Sequence, residues 1–167
     1  MRTYKYFLVG LTIAGALALG APIAEAIGTL DEEKPVHVNT PPAKPKDPDY
    51  LAGKAAVETR DWAKAIDFLG KAEAKDARNA DVENYLGYAL RNAGKMDEAL
   101  QHYAMALQIN PDHKGAHEYM GEAYLLKGDL KSAETHLDAL DRLCLFGCAE
   151  YTALKQKVAE YKKNKTS

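Results

Sequence analysis

The 167-residue chain has only two cysteines and one tryptophan, and it has no excess of charge of one sign. Its 22 Lys and Arg and 24 Asp and Glu are interleaved along the chain, so it lacks the clustered basic surface that nucleic-acid binding requires. Glycine has no triplet period and only one stretch is continuously apolar, which excludes a collagen and a protein with several membrane spans. The composition, 47% apolar and 28% charged, is typical of one globular unit with tails.

The motifs of common enzyme classes are also missing. After residue 26 the only serines are Ser132 and Ser167, and neither lies in the sequence context of a nucleophile elbow. The chain has no glycine-rich phosphate loop, no His-Glu-x-x-His metal motif and no Cys-x-x-Cys redox motif. The sequence therefore favours a protein without enzymatic activity and without a cofactor.

The N-terminus carries the one long apolar run. Two basic residues precede this run at 7–21, and an Ala-x-Ala sequence ends at Ala26. This order is typical of a secretory signal peptide, and the alternative is an uncleaved membrane anchor. Because the run is 15 residues long, it falls short of the about 20 that a hydrocarbon core requires. We expect a cleaved signal peptide at 1–26, a periplasmic location and no stable membrane insertion of the mature chain.

Residues 27–47 contain four prolines among charged and small polar residues, without a helical or a strand period. Such a segment buries too little apolar surface to offset the entropy lost on ordering. We predict a disordered, proline-rich tether.

Internal repeats follow the tether. Small or apolar residues recur every 34 positions, in columns such as Gly53, Gly87 and Gly121, then Ala65, Ala99 and Ala133, then Leu69, Tyr103 and Leu137. These columns define three contiguous units, which we call unit one (46–79), unit two (80–113) and unit three (114–147).

Each unit is predicted to form a helical hairpin. In unit two, one set of apolar residues at helical spacing ends at Gly94-Lys95, and a second set ends at Asn110-Pro111. An isolated hairpin leaves one apolar face bare, so the units must stack side by side. Residues 148–163 form a last amphipathic stretch, which we predict to be a polar-backed capping helix before a short tail at 164–167.

Unit two resembles the tetratricopeptide repeat. The matching positions are Leu86, Gly87, Ala99, Tyr103, Ala106 and Pro111. Glu83 takes the place of the usual tryptophan. The resemblance implies an all-α fold, a right-handed α-solenoid of three helix-turn-helix units plus the capping helix. It also implies a concave groove that binds a protein or peptide.

In the family, set positions of the first helix of each unit point into this groove. Carried over, they predict a partner-binding groove that includes Tyr50, Lys54, Asn84, Tyr88, Arg91, Asn92, Glu118, Glu122 and Leu125. Family members that clamp an acidic C-terminus carry lysines at two positions where this chain has Tyr50 and Gly115. We therefore expect a peptide with apolar anchors, and the negative charge of the groove is compatible with a basic residue in it.

The two cysteines, Cys144 and Cys148, are four residues apart, and Gly147 lets the chain bend between them. An even number of cysteines in an exported protein favours a disulfide. Redox-active thiols or metal ligands are the alternatives.

The histidines give a weaker signal. His113 and His117 are one helical turn apart, but two imidazoles are an incomplete metal site, so we expect solvated helix surface and no metal. His102 and His136 recur at the repeat offset and are expected on the surface of the second helices.

Together these features predict a non-enzymatic interaction adaptor of the cell envelope that binds a protein or peptide partner in its groove. The alternative is a thiol-redox or metal-handling accessory factor that acts through Cys144 and Cys148. Neither the partner nor the oligomeric state follows from the sequence.

Overall fold

The computed structural model describes residues 47–165. The predicted signal peptide at 1–26, and the predicted tether apart from its last residue, lie outside the described residues. The helices in the described part of the chain are α1 Pro48–Glu58, α2 Trp62–Lys75, α3 Ala80–Asn92, α4 Met96–Ile109, α5 Lys114–Leu126, α6 Leu130–Leu143 and α7 Ala149–Lys165. This range contains no strand, which confirms the predicted all-α helical solenoid. None of these helices has both the length and the apolar character that a membrane span requires.

Polar side chains fix where most helices begin. Asp47, Asp61, Asn79 and Asp129 each accept a hydrogen bond from a backbone N–H in the first turn of the helix that follows. The ring of His113 does the same for α5, with its Nδ1 3.0 Å from the nitrogen of Ala116. Such caps satisfy N–H groups that have no partner within the helix.

The residue that reverses the chain inside each hairpin has a left-handed backbone. Gly94 and Gly128 have φ angles of 83°, and Arg60 occupies the equivalent position of unit one with φ of 58°. A side chain makes this conformation unfavourable by about 1 kcal/mol, so glycine suits the position better than arginine.

The way the helices contact one another makes the solenoid curve. The first helices of successive units touch, α1 against α3 and α3 against α5. The second helices α2, α4 and α6 make no contact with one another in the described range. The first helices therefore line the concave face, and the second helices lie on the convex face.

Two glycines of the first helices allow a side chain of another helix to pack closely against the backbone. A Cβ atom on Gly87 would lie 2.7 Å from the ring of Tyr103, which is fully buried between α3 and α4. At the equivalent Gly121, the nearest atom belongs to Leu154 of α7, at 2.6 Å. The last helix thus packs directly onto the last hairpin.

Helix α7 closes the end of the solenoid. It packs against both α5 and α6, where it buries Leu154 and Val158 and half-buries Tyr151 and Tyr161. The helix continues to Lys165, so the first two residues of the predicted tail belong to it.

Candidate functional site: two adjoining clefts on the concave face

The first cleft lies where α1, α3 and α5 come together near the turn between α1 and α2. It has a volume of about 350 Å³. The residues that line it are Lys54, Val57, Glu58, Arg60, Trp62, Tyr85, Tyr88 and Tyr119.

Aromatic rings form the wall of this first cleft. The ring of Tyr88 is 4.8 Å from that of Tyr119 and 6.1 Å from that of Trp62, between ring centroids. The ammonium of Lys54 lies 5.1 Å from the centroid of Tyr85, within the range of a cation–π contact. Burial raises the pKa of Tyr119 to about 12, so its hydroxyl stays protonated at neutral pH. The cleft thus offers flat apolar surface next to hydroxyl groups and a cation.

The second cleft is bounded by α3, α5 and α7 and has a volume of about 360 Å³. Its lining consists of Arg91, Asn92, Glu122, Leu125, Leu126, Lys157, Glu160, Tyr161 and Asn164. Leu126 is 69% exposed and gives the cleft an apolar edge. The capping helix supplies four of the lining residues, so it shapes the concave face as well as closing the solenoid.

An ion pair lies between the two clefts. The guanidinium of Arg91 donates to a carboxylate oxygen of Glu122 at 2.8 Å and to the carbonyl of Tyr119 at 3.2 Å. It also lies against Tyr88, 5.2 Å from the ring centroid. The two charged side chains are only 9% and 13% exposed, and Lys157 approaches Glu122 at 3.6 Å. Arg91 therefore holds α3 to α5, and its charge is already paired.

Glu118 lies close to this ion pair. Burial, and then the negative charges of Glu122 and Glu150, raise its pKa to about 7. At neutral pH its carboxyl therefore exists in both protonation states and can either donate or accept a hydrogen bond.

Six of the predicted groove residues line these clefts. Lys54 and Tyr88 lie in the first cleft. Arg91, Asn92, Glu122 and Leu125 lie in the second.

Two other predicted groove residues do not present a free surface. Tyr50 is 6% exposed and packs edge-on against Tyr85, with ring centroids 5.9 Å apart. Asn84 is 4% exposed, and its amide nitrogen lies beside Gly115 at the start of α5. Neighbouring first helices cover both side chains, so direct contact of Tyr50 or Asn84 with a partner does not fit their burial.

The sequence prediction missed Tyr85, Tyr119 and Trp62. Tyr85 and Tyr119 are repeat equivalents, so their 34-residue spacing was the signal that could have found them. Trp62 is the first residue of α2 and reaches the cleft from the turn, which no first-helix pattern includes.

His102 and His136, which the sequence places on the surface of the second helices, are instead half-buried against the first helices. The Nδ1 atom of His102 is 2.7 Å from a carboxylate oxygen of the buried Glu83. His136 faces His117 with their Nδ1 atoms 3.0 Å apart, and burial lowers the pKa of His136 to about 4. Both histidines lie where a second helix meets the first helix of its own unit.

His113 and His117 do not converge on a common ligand. His113 caps α5 and its Nε2 lies 3.1 Å from Asp81, whereas Nε2 of His117 lies 2.9 Å from the carbonyl of Pro111. The two rings make separate local contacts, and the His113 side chain is only 11% exposed, so it does not lie on the solvated helix surface that the sequence predicted.

Cys144 and Cys148 form a disulfide, with their Cα atoms 5.6 Å apart. Cys144 caps the end of α6, and Cys148 immediately precedes α7. Gly147, with φ of 82°, reverses the chain inside this small ring. The ring leaves Leu145 and Phe146 82% and 102% exposed.

Profiles of the tetratricopeptide repeat match residues 50–114 and 90–158, and together they cover all three hairpins and part of α7. The chain belongs to the tetratricopeptide repeat family. A segment of 64 residues is 34% identical to part of the protein O-mannosyl-transferase Tmtc3 of Drosophila melanogaster. The matched segment covers 38% of this chain and 7% of that protein.

Two solved structures share the fold. The type III secretion translocator chaperone SycD of Yersinia enterocolitica is 18% identical with a TM-score of 0.63, over 71% of this chain and 84% of that one. PcrH, in complex with the chaperone binding region of PopD, is 19% identical with a TM-score of 0.63, over 70% and 90% of the two chains. At this identity the likeness establishes the fold alone.

Proposed function

We propose that this protein is a non-enzymatic interaction adaptor whose concave face binds a segment of a partner protein. The observation that carries the proposal is the aromatic wall of the first cleft, where Trp62, Tyr85, Tyr88 and Tyr119 surround an open cavity next to a cation. Tyrosine, tryptophan and arginine are the residues that dominate binding energy at protein interfaces. PcrH, of similar fold, is known in complex with a region of its partner PopD, which supports a comparable use here.

The two clefts indicate the chemistry of the partner. The first accepts a flat apolar or aromatic side chain, and Glu58 at its edge suits a basic neighbour. The second accepts an aliphatic side chain against Leu125 and Leu126, with Glu122 and Glu160 nearby. A partner segment with two apolar anchors, one for each cleft, and a basic residue beside them fits both.

A pair of aromatic truncations tests this function. Tyr88→Ala removes the ring that contacts both Trp62 and Tyr119 in the first cleft. Phe68→Ala removes a half-buried ring from α2 on the convex face. After gentle crosslinking in the host and mass spectrometry on the full chain, Tyr88→Ala should reduce the recovery of the partner about tenfold or more. Phe68→Ala should leave recovery unchanged. Equal recovery from both variants would contradict a role for the first cleft.

We further propose that the chain is exported and that the adaptor works in the periplasm. The proposal rests on the signal pattern at 1–26, and the Cys144–Cys148 disulfide supports it because such bonds persist in oxidising compartments. Intact mass spectrometry of the protein from its host should find residues 1–26 removed. A full-length mass with reduced cysteines would contradict export.

The substitution Cys148→Ser distinguishes the thiol-redox or metal-handling alternative from the adaptor function. If the disulfide only fixes the connection between α6 and α7, this change lowers stability by about 2 kcal/mol and partner binding persists. If the thiols carry the function, it is lost with little change in Tm.

A further inference from the structure

Three side chains from three different helices meet at the contact between units one and two. Glu73 comes from α2, Glu83 from α3 and His102 from α4. One donor atom from each lies within 4.8 Å of the others. The Nδ1 atom of His102 is 2.7 Å from Glu83 and 3.9 Å from Glu73. None of these residues lines either cleft of the concave face.

The charges of this cluster are not balanced. Glu83 is 2% exposed, and a carboxylate so deeply buried needs a compensating charge. A protonated His102 supplies one positive charge for two carboxylates, whose mutual repulsion remains. A divalent cation would neutralise both carboxylates and leave the imidazole uncharged.

We propose that Glu73, Glu83 and His102 form a binding site for a divalent transition-metal ion, with Zn²⁺ as the probe, that joins α2 of unit one to α3 and α4 of unit two. Two carboxylate oxygens and one imidazole nitrogen are a donor set that Zn²⁺ accepts. The three protein ligands leave a coordination position for water.

The geometry requires only small movements of the ligands. Donor atoms around Zn²⁺ at about 2.0–2.2 Å lie about 3 to 4 Å from one another. Glu83 and His102, at 2.7 Å, must therefore separate slightly, whereas Glu73 already lies 3.9 Å from His102. The Glu73 side chain is 32% exposed and that of His102 is 18% exposed. The partial exposure gives Glu73 room to rotate, and it gives an ion a path from solvent.

The next pair of units provides an internal control. The positions equivalent to Glu73, Glu83 and His102 are Leu107, His117 and His136, so the carboxylates are replaced by an apolar residue and an imidazole. This second cluster has no negative charge to compensate. The proposal therefore predicts metal binding at Glu73, Glu83 and His102 and none at the equivalent positions Leu107, His117 and His136.

The experiment uses the full chain with its disulfide intact, in buffer without chelators or thiols. Zn²⁺ is titrated while Tm is followed, and Co²⁺ is used to record the visible absorption bands of the bound metal. We expect a rise of several degrees in Tm, a stoichiometry of one by native mass spectrometry and reversal by EDTA, because an ion bound only by the folded state stabilises it.

Two variants and one matched control decide which residues bind. Glu73→Gln keeps the shape of a half-exposed side chain, so it should fold normally and bind Zn²⁺ at least about tenfold more weakly. His102→Gln should do the same, and its control His136→Gln makes the same change at the equivalent position of unit three and should bind as the wild type does.

Three results would overturn the proposal. The first is the absence of any Tm shift or Co²⁺ spectrum in the wild-type chain, which would indicate that a proton alone bridges the carboxyls. The second is unchanged Zn²⁺ affinity in both Glu73→Gln and His102→Gln. The third is an equal loss in His136→Gln, which would assign binding to the other histidines.

Discussion

The contact between the two helices of unit two and the contact between the two helices of unit three use the same repeat positions for different chemistry. In unit two, Glu83 meets His102, and in unit three, His117 meets His136 at the equivalent positions. The first pair contains a carboxylate and has a second carboxylate beside it, whereas the second pair consists of two imidazoles, and burial lowers the pKa of His136 to about 4. The repeat thus determines which positions are in contact, and the residue types at those positions determine what the contact can bind.

The equivalent glycines of the two units provide the largest expected effect. Gly87→Ala places a methyl group 2.7 Å from the buried ring of Tyr103 and 3.0 Å from the carbonyl of Ala99. We expect a loss of about 3 kcal/mol in the free energy of unfolding, measured by urea denaturation. For Gly121→Ala the three nearest atoms all belong to the side chain of Leu154, and the terminal helix can shift, so we expect a loss of about 1 kcal/mol. Equal losses would mean that α7 is held as firmly as an internal helix.

Removing the histidines compares the two clusters directly. In buffer with EDTA, His102→Ala leaves Glu83 buried without its hydrogen-bond partner and should reduce the free energy of unfolding by about 2 to 3 kcal/mol. His136→Ala leaves His117 still within reach of the carbonyl of Pro111 and should reduce it by about 1 kcal/mol. The measurement is again urea denaturation. A greater loss in His136→Ala than in His102→Ala would contradict the contrast between a cluster that contains a buried carboxylate and one of two imidazoles.

The pH dependence separates the clusters further. The folded protein keeps His136 neutral down to a pKa of about 4, whereas the unfolded chain protonates it below about 6.5, so its contribution to stability is lost as the pH falls between these values. His136→Phe, which introduces the residue that unit one has as Phe68, should remove this loss. We expect the variant to gain about 2 kcal/mol relative to the wild type between pH 6.5 and 4, in thermal or urea unfolding.

Glu118 acts in the opposite direction, because its raised pKa of about 7 reduces stability as the pH rises from 4.5 to 7. Both chains of the His136→Phe comparison contain Glu118, so its effect cancels in the difference. A difference that does not change with pH would show that His136 is accessible to protons in the folded state.

The turn of unit one gives the smallest expected effect. Arg60 has φ of 58°, a left-handed backbone conformation. Gly94 and Gly128 adopt this left-handed conformation at the equivalent positions of units two and three, but they have no side chain. Arg60→Gly should raise the free energy of unfolding by about 0.5 kcal/mol, since relief of the backbone is partly offset by the greater freedom of glycine in the unfolded chain. Thermal unfolding would detect the gain as a higher Tm. A lower Tm would indicate that the Arg60 side chain contributes more than its backbone conformation opposes.

The fold followed from the sequence because one period repeats in several independent columns. Gly87, Ala99 and Ala106 are small where helices approach, and their spacing predicted hairpins that must stack. The capping helix followed from its apolar face, on which Leu154 and Val158 are indeed buried.

The candidate site could be predicted only in part. Lys54 and Tyr88 face the first cleft as the family positions imply, but Tyr50 and Asn84 at neighbouring positions are covered by adjacent helices. The rotation and tilt of each helix decide such differences, and a periodic pattern does not specify them. Trp62 reaches the cleft from a turn, outside any helical pattern.

The charged cluster was not predictable from one unit at a time. Glu83 was the available signal, because it places a carboxylate where the family has a buried tryptophan. Its partners lie 10 residues before it and 19 residues after it, on helices of two units. Only the packing of the units against each other brings them together.

Site-specific photo-crosslinking in the host tests the central claim, that the concave face binds a partner segment. A benzophenone side chain is introduced at Tyr88 in the first cleft and, in a parallel chain, at Gln101, an exposed residue of α4 on the convex face. We predict that the Tyr88 probe forms an adduct with one recurrent partner, always within the same apolar segment, and that the Gln101 probe does not. The same adducts from both positions, or none from Tyr88, would contradict the assignment of the concave face as the binding surface.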